Sequence, residues 1–159
     1  MTLNGEEHCG QGKVTTTREQ QELALEAALR QAIRAQYHFR ASEQGLLAWD
    51  VRRLVRLSRD LPVQAVELGE IAELDQVHWY GHDAASPTVR SVVEHCQLMM
   101  AADLAYPILL DSAGRVMDGM HRVGKVLLLG HSHIEARRFA VDPEPDYQGC
   151  DPDTLPYDD

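Results

Sequence analysis

Between residues 115 and 125 the chain reads Arg-Val-Met-Asp-Gly-Met-His-Arg-Val-Gly-Lys. The apolar residues before Asp118 have strand character, and those after Gly119 have helical spacing. A glycine at such a junction lets the backbone turn sharply and approach a ligand closely. The amides of about Met120 to Val123 then open a helix without intrahelical acceptors, and the helix dipole adds to them, so the segment suits an anion. Arg122 offers a planar donor fork that matches phosphate. His121 can donate a hydrogen bond or carry a proton near neutral pH. Lys125, four residues after His121, is close enough to add positive charge. Asp118 can hold the loop or help place Mg²⁺. The candidate binding residues are Gly119, Met120, His121, Arg122 and Lys125.

Such a loop needs a frame. Tyr106-Pro-Ile-Leu-Leu110 reads as a buried strand. Asp111-Ser-Ala-Gly114 has Asp first and Gly fourth, as a type I turn requires, and residues 115–117 return as the second arm of a hairpin. A helix is expected from about His121 to Leu129, ended by Gly130. A last strand follows from Ile134 to Val141. Upstream, Thr16 or Thr17 can cap a helix, with Glu19 or Gln20 completing a capping box. Leu25, Leu29, Ile33 and Tyr37 mark one face of it. A second helical stripe, Leu47, Val51, Leu54, Val55 and Leu61, spans about Ser42 to Asp60 and stops at Pro62. Val63 to Leu68 reads as a short strand, and 71–85 as a loop rich in functional groups. Ser86-Pro87 starts a further helix, with Ser as cap and Val89, Val92, Val93, Cys96 and Met100 as its apolar face.

Two helices followed by β-α-β-β-α-β predict an α+β fold, a small mixed β-sheet covered by helices and preceded by two N-terminal helices. The expected organisation is a disordered segment (1–15), a helical extension (16–61), the mixed domain (62–141) and an acidic, Pro-rich tail (142–159). The tail is expected to be disordered or wrapped over the body, with Tyr147, Leu155 and Tyr157 as anchors.

With 159 residues and 44% hydrophobic side chains, a core is affordable without disulfides or a structural metal. The formal net charge of −10 works against non-specific nucleic-acid binding, so DNA is not an expected partner. Seven of the acidic residues lie in the tail, which leaves −3 elsewhere and permits a local basic site. The three cysteines, Cys9, Cys96 and Cys150, lack disulfide or zinc spacing. No apolar run suits a membrane span or signal peptide, so the cytoplasm is the expected compartment. His78, His82 and Asp83 have metal-type spacing, but neighbouring glycine weakens the helix such ligation needs, and no metal site is predicted. Gly10-Gln-Gly-Lys13 lacks the strand and spacing of a phosphate loop. Arg52, Arg53, Arg56 and Arg59 read as a solvated helix face.

Strand, turn, strand, then Asp-Gly-x-His-Arg, an apolar helix and a strand resembles the ParB/sulfiredoxin superfamily over roughly Val63 to Val141. Asp118, Gly119, His121 and Arg122 match members with Asp-Gly-His-His-Arg, which include free-serine kinases. The resemblance implies contact with nucleotide phosphates: ATP, ADP or CTP, with Mg²⁺ as companion. It further implies phosphoryl transfer to a small molecule, with His121 and Asp118 in catalytic roles. Glu70, Glu73 and Asp75 follow the first strand, where kinase-like members place their base; no motif selects among them, and Glu70 is carried as the candidate. Met120 stands where sulfiredoxins carry their nucleophilic cysteine, so sulfinic-acid reduction is not expected. Partition activity is not expected either, because no DNA-reading domain follows Val141. The alternatives are a non-catalytic ParB-like regulator, whose N-terminal helices bind a protein partner or a second copy, and, more remotely, a nuclease. On the first reading, Arg122→Ala abolishes nucleotide binding and leaves the fold intact.

Overall fold

The computed structural model describes residues 17–80 and 86–157. The expected disordered segment, the Gly10–Lys13 motif and the pair His82 and Asp83 lie outside these residues. The chain divides into two compact units, with the boundary after Arg34 rather than at Leu61. The first contains α1 (Thr17–Ala32), which opens with Glu19 in its first turn. Of its expected face, the side chains of Leu25 and Leu29 lie outside the described residues. Tyr37 belongs to the next element.

The second unit holds two sheets. β1 (Tyr37–Ser42) and β2 (Gly45–Asp50) form an antiparallel hairpin, and β7 (Tyr147–Gln148) pairs with β2. The other sheet is mixed, in the order β3 (Gln64–Glu67), β6 (His133–Arg138), β4 (Ile108–Leu110), β5 (Val116–Asp118). Only the β4–β6 pair is parallel. Among the described residues, three α-helices complete the unit: α2 (Val51–Ser58), α3 (Val89–Ala101) and α4 (Met120–Leu128). The α+β class and a mixed sheet are therefore present, and the second N-terminal helix is present only in its second half, as α2. Its first half is the β1–β2 hairpin. Ser42 Oγ receives the Gln44 amide at 3.2 Å and donates to the Gly45 carbonyl at 2.7 Å, and Gly45 takes φ 98°, which together form a two-residue turn. The helical stripe is real only after Asp50, which caps α2 by accepting from the Arg52 amide at 2.8 Å.

β4 and β5 are covered on both faces, and β6 buries one, by the alternation of side chains along a strand. Ile108, Leu110, Val116, Ile134 and Ala136 meet Met120, Val123 and Val126 of α4. Leu109 and Met117, with Phe139, meet Trp49 and Leu54 on the other side. α3 departs from expectation. Its cap is Thr88, two residues later, because Thr88 and Ser91 cap each other reciprocally at 3.0 and 3.2 Å. Its valine face points outward, with Val89 84% and Met100 67% exposed. Ser91, His95 and Met99 form its better-covered side.

As far as Tyr157, the tail is wrapped over the hairpin rather than disordered. Trp49 Nε1 donates to the Pro143 carbonyl at 2.7 Å, the amide of Gly149 donates to Leu46 at 2.8 Å, and Leu155 is buried. Among the described residues, no helix is long and apolar enough to cross a membrane.

Candidate functional site

The turn ahead of β5 is built around one carboxylate. Asp111 is fully buried and accepts from the amides of Ala113 and Arg115 at 2.9 and 2.8 Å. Arg40 and Arg115 each reach its Oδ2 at 2.7 Å. Charge-assisted bonds of this number offset the cost of burying the carboxylate and fix the turn. β5 then leads into Gly119, which has φ 105°. A Cβ there would lie 2.7 Å from Ile108 Cγ2, so only glycine fits both the conformation and the space. Val123 closes the first turn of α4 by donating to the Gly119 carbonyl at 3.1 Å. No side chain caps that terminus, and the first-turn amides have no intrahelical acceptor.

His121 sits in this first turn and is partly buried. Its Nε2 lies 3.0 Å from Nδ1 of His95 on α3. Both imidazoles stack on the indole of Trp79, with centroids 4.8 Å (His121) and 4.4 Å (His95) away and planes within 14°. Tyr80 meets His95 edge-on. Burial, then the neighbouring His95 and His78, pushes the His121 imidazole below its ordinary range. Burial likewise lowers His78, against an opposing pull from Glu73.

The two cations of the loop are tied into the frame. Arg122 Nη1 donates to the carbonyls of Tyr106 and Pro107, each at 2.9 Å, and Nη2 is paired with the Asp118 carboxylate. Lys125 Nζ donates to the carbonyls of Met100 and Ala102 at 2.9 and 2.6 Å, closing the end of α3. Arg122 is thus part of the fold, and the expectation that Arg122→Ala spares the fold is corrected. Met120 is buried in the main core, so only its backbone can face a ligand.

The candidate bases separate. Glu70 receives the Glu67 amide at 3.3 Å and lines a groove of about 420 Å³ with Gln64, Gly114 and Arg138, not with the histidines. Glu73 accepts from the Val116 amide at 2.8 Å, and its other oxygen is buried without a hydrogen-bond partner. Glu73 therefore couples to the strand that delivers the loop. The sequence singled out neither Trp79 nor His95 as a site residue. Trp79 lies in a segment whose sequence reads as a loop rich in functional groups. His95 lies on a helix whose valine spacing marks the opposite face as the apolar one. Among the described residues, no group of three His, Cys, Asp or Glu side chains is placed to hold a metal ion. Compared with known proteins, the chain matches no family model, no curated sequence and no solved structure.

Proposed function

We propose that the chain is a nucleotide- or phosphate-binding protein of the ParB/sulfiredoxin superfamily, which transfers a phosphoryl group to a small molecule. One observation carries the reading: Gly119 turns β5 directly into the uncapped start of α4, with His121 in its first turn. The Asp-Gly-Met-His-Arg sequence at that junction supports it. The donors to phosphate are the backbone amides from Met120 to Arg122, with His121 beside them. Arg122 serves by holding Asp118 and the Tyr106–Pro107 backbone, so that the amides keep their direction. Phosphoryl transfer depends mostly on such positioning and on electrostatics. A bound nucleotide would supply the transferable phosphoryl group, and His121 would take a proton near neutral pH.

The test is thermal melting with ATP, ADP, CTP, GTP or inorganic phosphate, each with and without Mg²⁺. A ligand at about 100 times its dissociation constant stabilises by about 2.7 kcal/mol. For a chain of this size the midpoint rises by roughly 5–10 °C. The same ligand should move the amide resonances of Met120, His121 and Arg122. No shift with any of these ligands at millimolar concentration overturns the reading.

A further inference from the structure

We propose that His95 is a positioning residue for His121, and that the two rings act as one proton-accepting unit seated on Trp79. The proposal rests on the reading of the α4 start as a ligand site, because only there does the basicity of His121 have a use. The geometry carries it. At 3.0 Å, His95 Nδ1 and His121 Nε2 share a single hydrogen. Two N–H groups cannot face each other at that distance, so one nitrogen donates and the other accepts. The tautomers are therefore linked. When His121 Nε2 carries the hydrogen, its Nδ1 is the free base. A substrate O–H that gives its proton to Nδ1 breaks the O–H bond and forms an N–H bond. The hydrogen on Nε2 then passes to His95 Nδ1. The unit gains one proton in total, and the positive charge ends on the ring farther from the new bond. A second proton would place N–H against N–H, so the unit holds one.

The surroundings fit this role. The Trp79 indole stacks on both rings and holds them within 20° of a common plane, as an in-plane N–H···N bond requires. Gly124 of α4 leaves room for Met99 of α3: a Cβ there would overlap the Met99 sulfur, while it would only touch the indole at 3.8 Å. Among the described residues, the other titratable and charged groups around the pair come from three places. His78 and Glu73 act from the segment after β3, and Tyr80 from beside Trp79. On α4 and its loop, Asp118 is paired with Arg122, and Lys125 is bonded to α3 carbonyls. Among the described residues, no carboxylate is hydrogen-bonded to the histidine pair.

The experiment is nitrogen-15 NMR of the full chain labelled at histidine, from pH 5 to 8. In the unmodified protein a coupling between the two ring nitrogens should cross the hydrogen bond, and each ring should show one tautomer. In His95→Leu, His121 should become a tautomer mixture and should titrate as a single independent site, because no second ring is left to share its proton. In His95→Gln, which can still hydrogen-bond, a single tautomer should return while the coupled titration does not. No coupling in the unmodified protein, or the same His121 tautomer and titration in His95→Leu, overturns the proposal. That failure is separable from failure of the ligand reading, which is decided by nucleotide and phosphate melting of the unmodified chain.

Discussion

His38 shows how one side chain can make the whole fold acid-sensitive. It lies on β1 beside Trp49, and its Nε2 is buried without a partner. Burial first, then the charges of Arg40 and His78, pushes its pKa down to about 4. His78 and His121 are lowered in the same direction. A histidine with a depressed folded pKa stays neutral in the fold and takes a proton on unfolding, so its stabilising effect is present above about 6.5 and is lost as pH falls through the folded value. For His38 the span corresponds to roughly 3 kcal/mol at 1.36 kcal/mol per unit. Urea unfolding at pH 7, 5.5 and 4.5 should show a falling midpoint, and His38→Gln should flatten most of that slope. A carboxylate-driven protein would instead hold its stability to about pH 4 and fail below. Asp142 adds a little of that second behaviour. Burial raises it, but the Ser112 amide and hydroxyl, with Arg40 and Arg115, outweigh burial and leave it lowered. Its contribution is therefore lost only below its ordinary range.

At the level of elements, legibility followed how local the cause was. The Asp111–Gly114 turn, the Gly119 junction and the β4 run could be read, because turn chemistry and a continuous apolar stretch act over a few residues. The β1–β2 hairpin could not. Leu47, Val51, Leu54 and Val55 carry helical spacing, yet the pairing of Tyr37 with Asp50 through Ser42 with Gly45 decides the first half as sheet. The outward valine face of α3 was equally hidden. The choice of face rests on three distant partners: His121 for His95, Gly124 for Met99 and Lys125 for the last carbonyls. Of the candidate site, the Asp118–Arg122 run was visible as a string, but Trp79 and His95 reach it only through the fold. Gly119→Ala tests the junction itself. The substitution forces φ 105° on a residue with a Cβ and drives that Cβ toward Ile108 and the Arg122 guanidinium. The left-handed penalty alone is about 1–2 kcal/mol, and the overlap with buried Ile108 adds to it. A loss of about 2 kcal/mol or more in chemical denaturation is expected. A neutral result would mean that the turn relaxes freely and does not aim the amides.

Across the second unit as a whole, two arguments about the acidic tail give opposite signs. The tail carries seven of the acidic residues in a chain of net charge −10, so removing it should relieve self-repulsion and stabilise the body. Against that stand its contacts. Asp146 accepts from the Asp50 amide at 2.9 Å and pairs with Arg53 at 3.2 Å, while Asp142 accepts from the Ser112 amide at 2.8 Å. Leu155 is 7% exposed, and the Tyr37 hydroxyl donates to the Pro156 carbonyl at 2.8 Å. Charges spread along a surface are screened over about 8–10 Å at ordinary ionic strength. A buried leucine alone is worth about 2–5 kcal/mol when truncated to alanine, and a Trp49 indole N–H left without its Pro143 acceptor costs about 1–3 kcal/mol more. Packing should therefore win. A chain ending at Val141 should unfold at lower urea than the full chain, and with a smaller m-value, because less surface is buried on folding. Leu155→Ala should reproduce part of the loss with all tail charges kept. An unchanged or higher midpoint in the shortened chain would show that the tail only rests on the hairpin, and that charge repulsion outweighs its contacts.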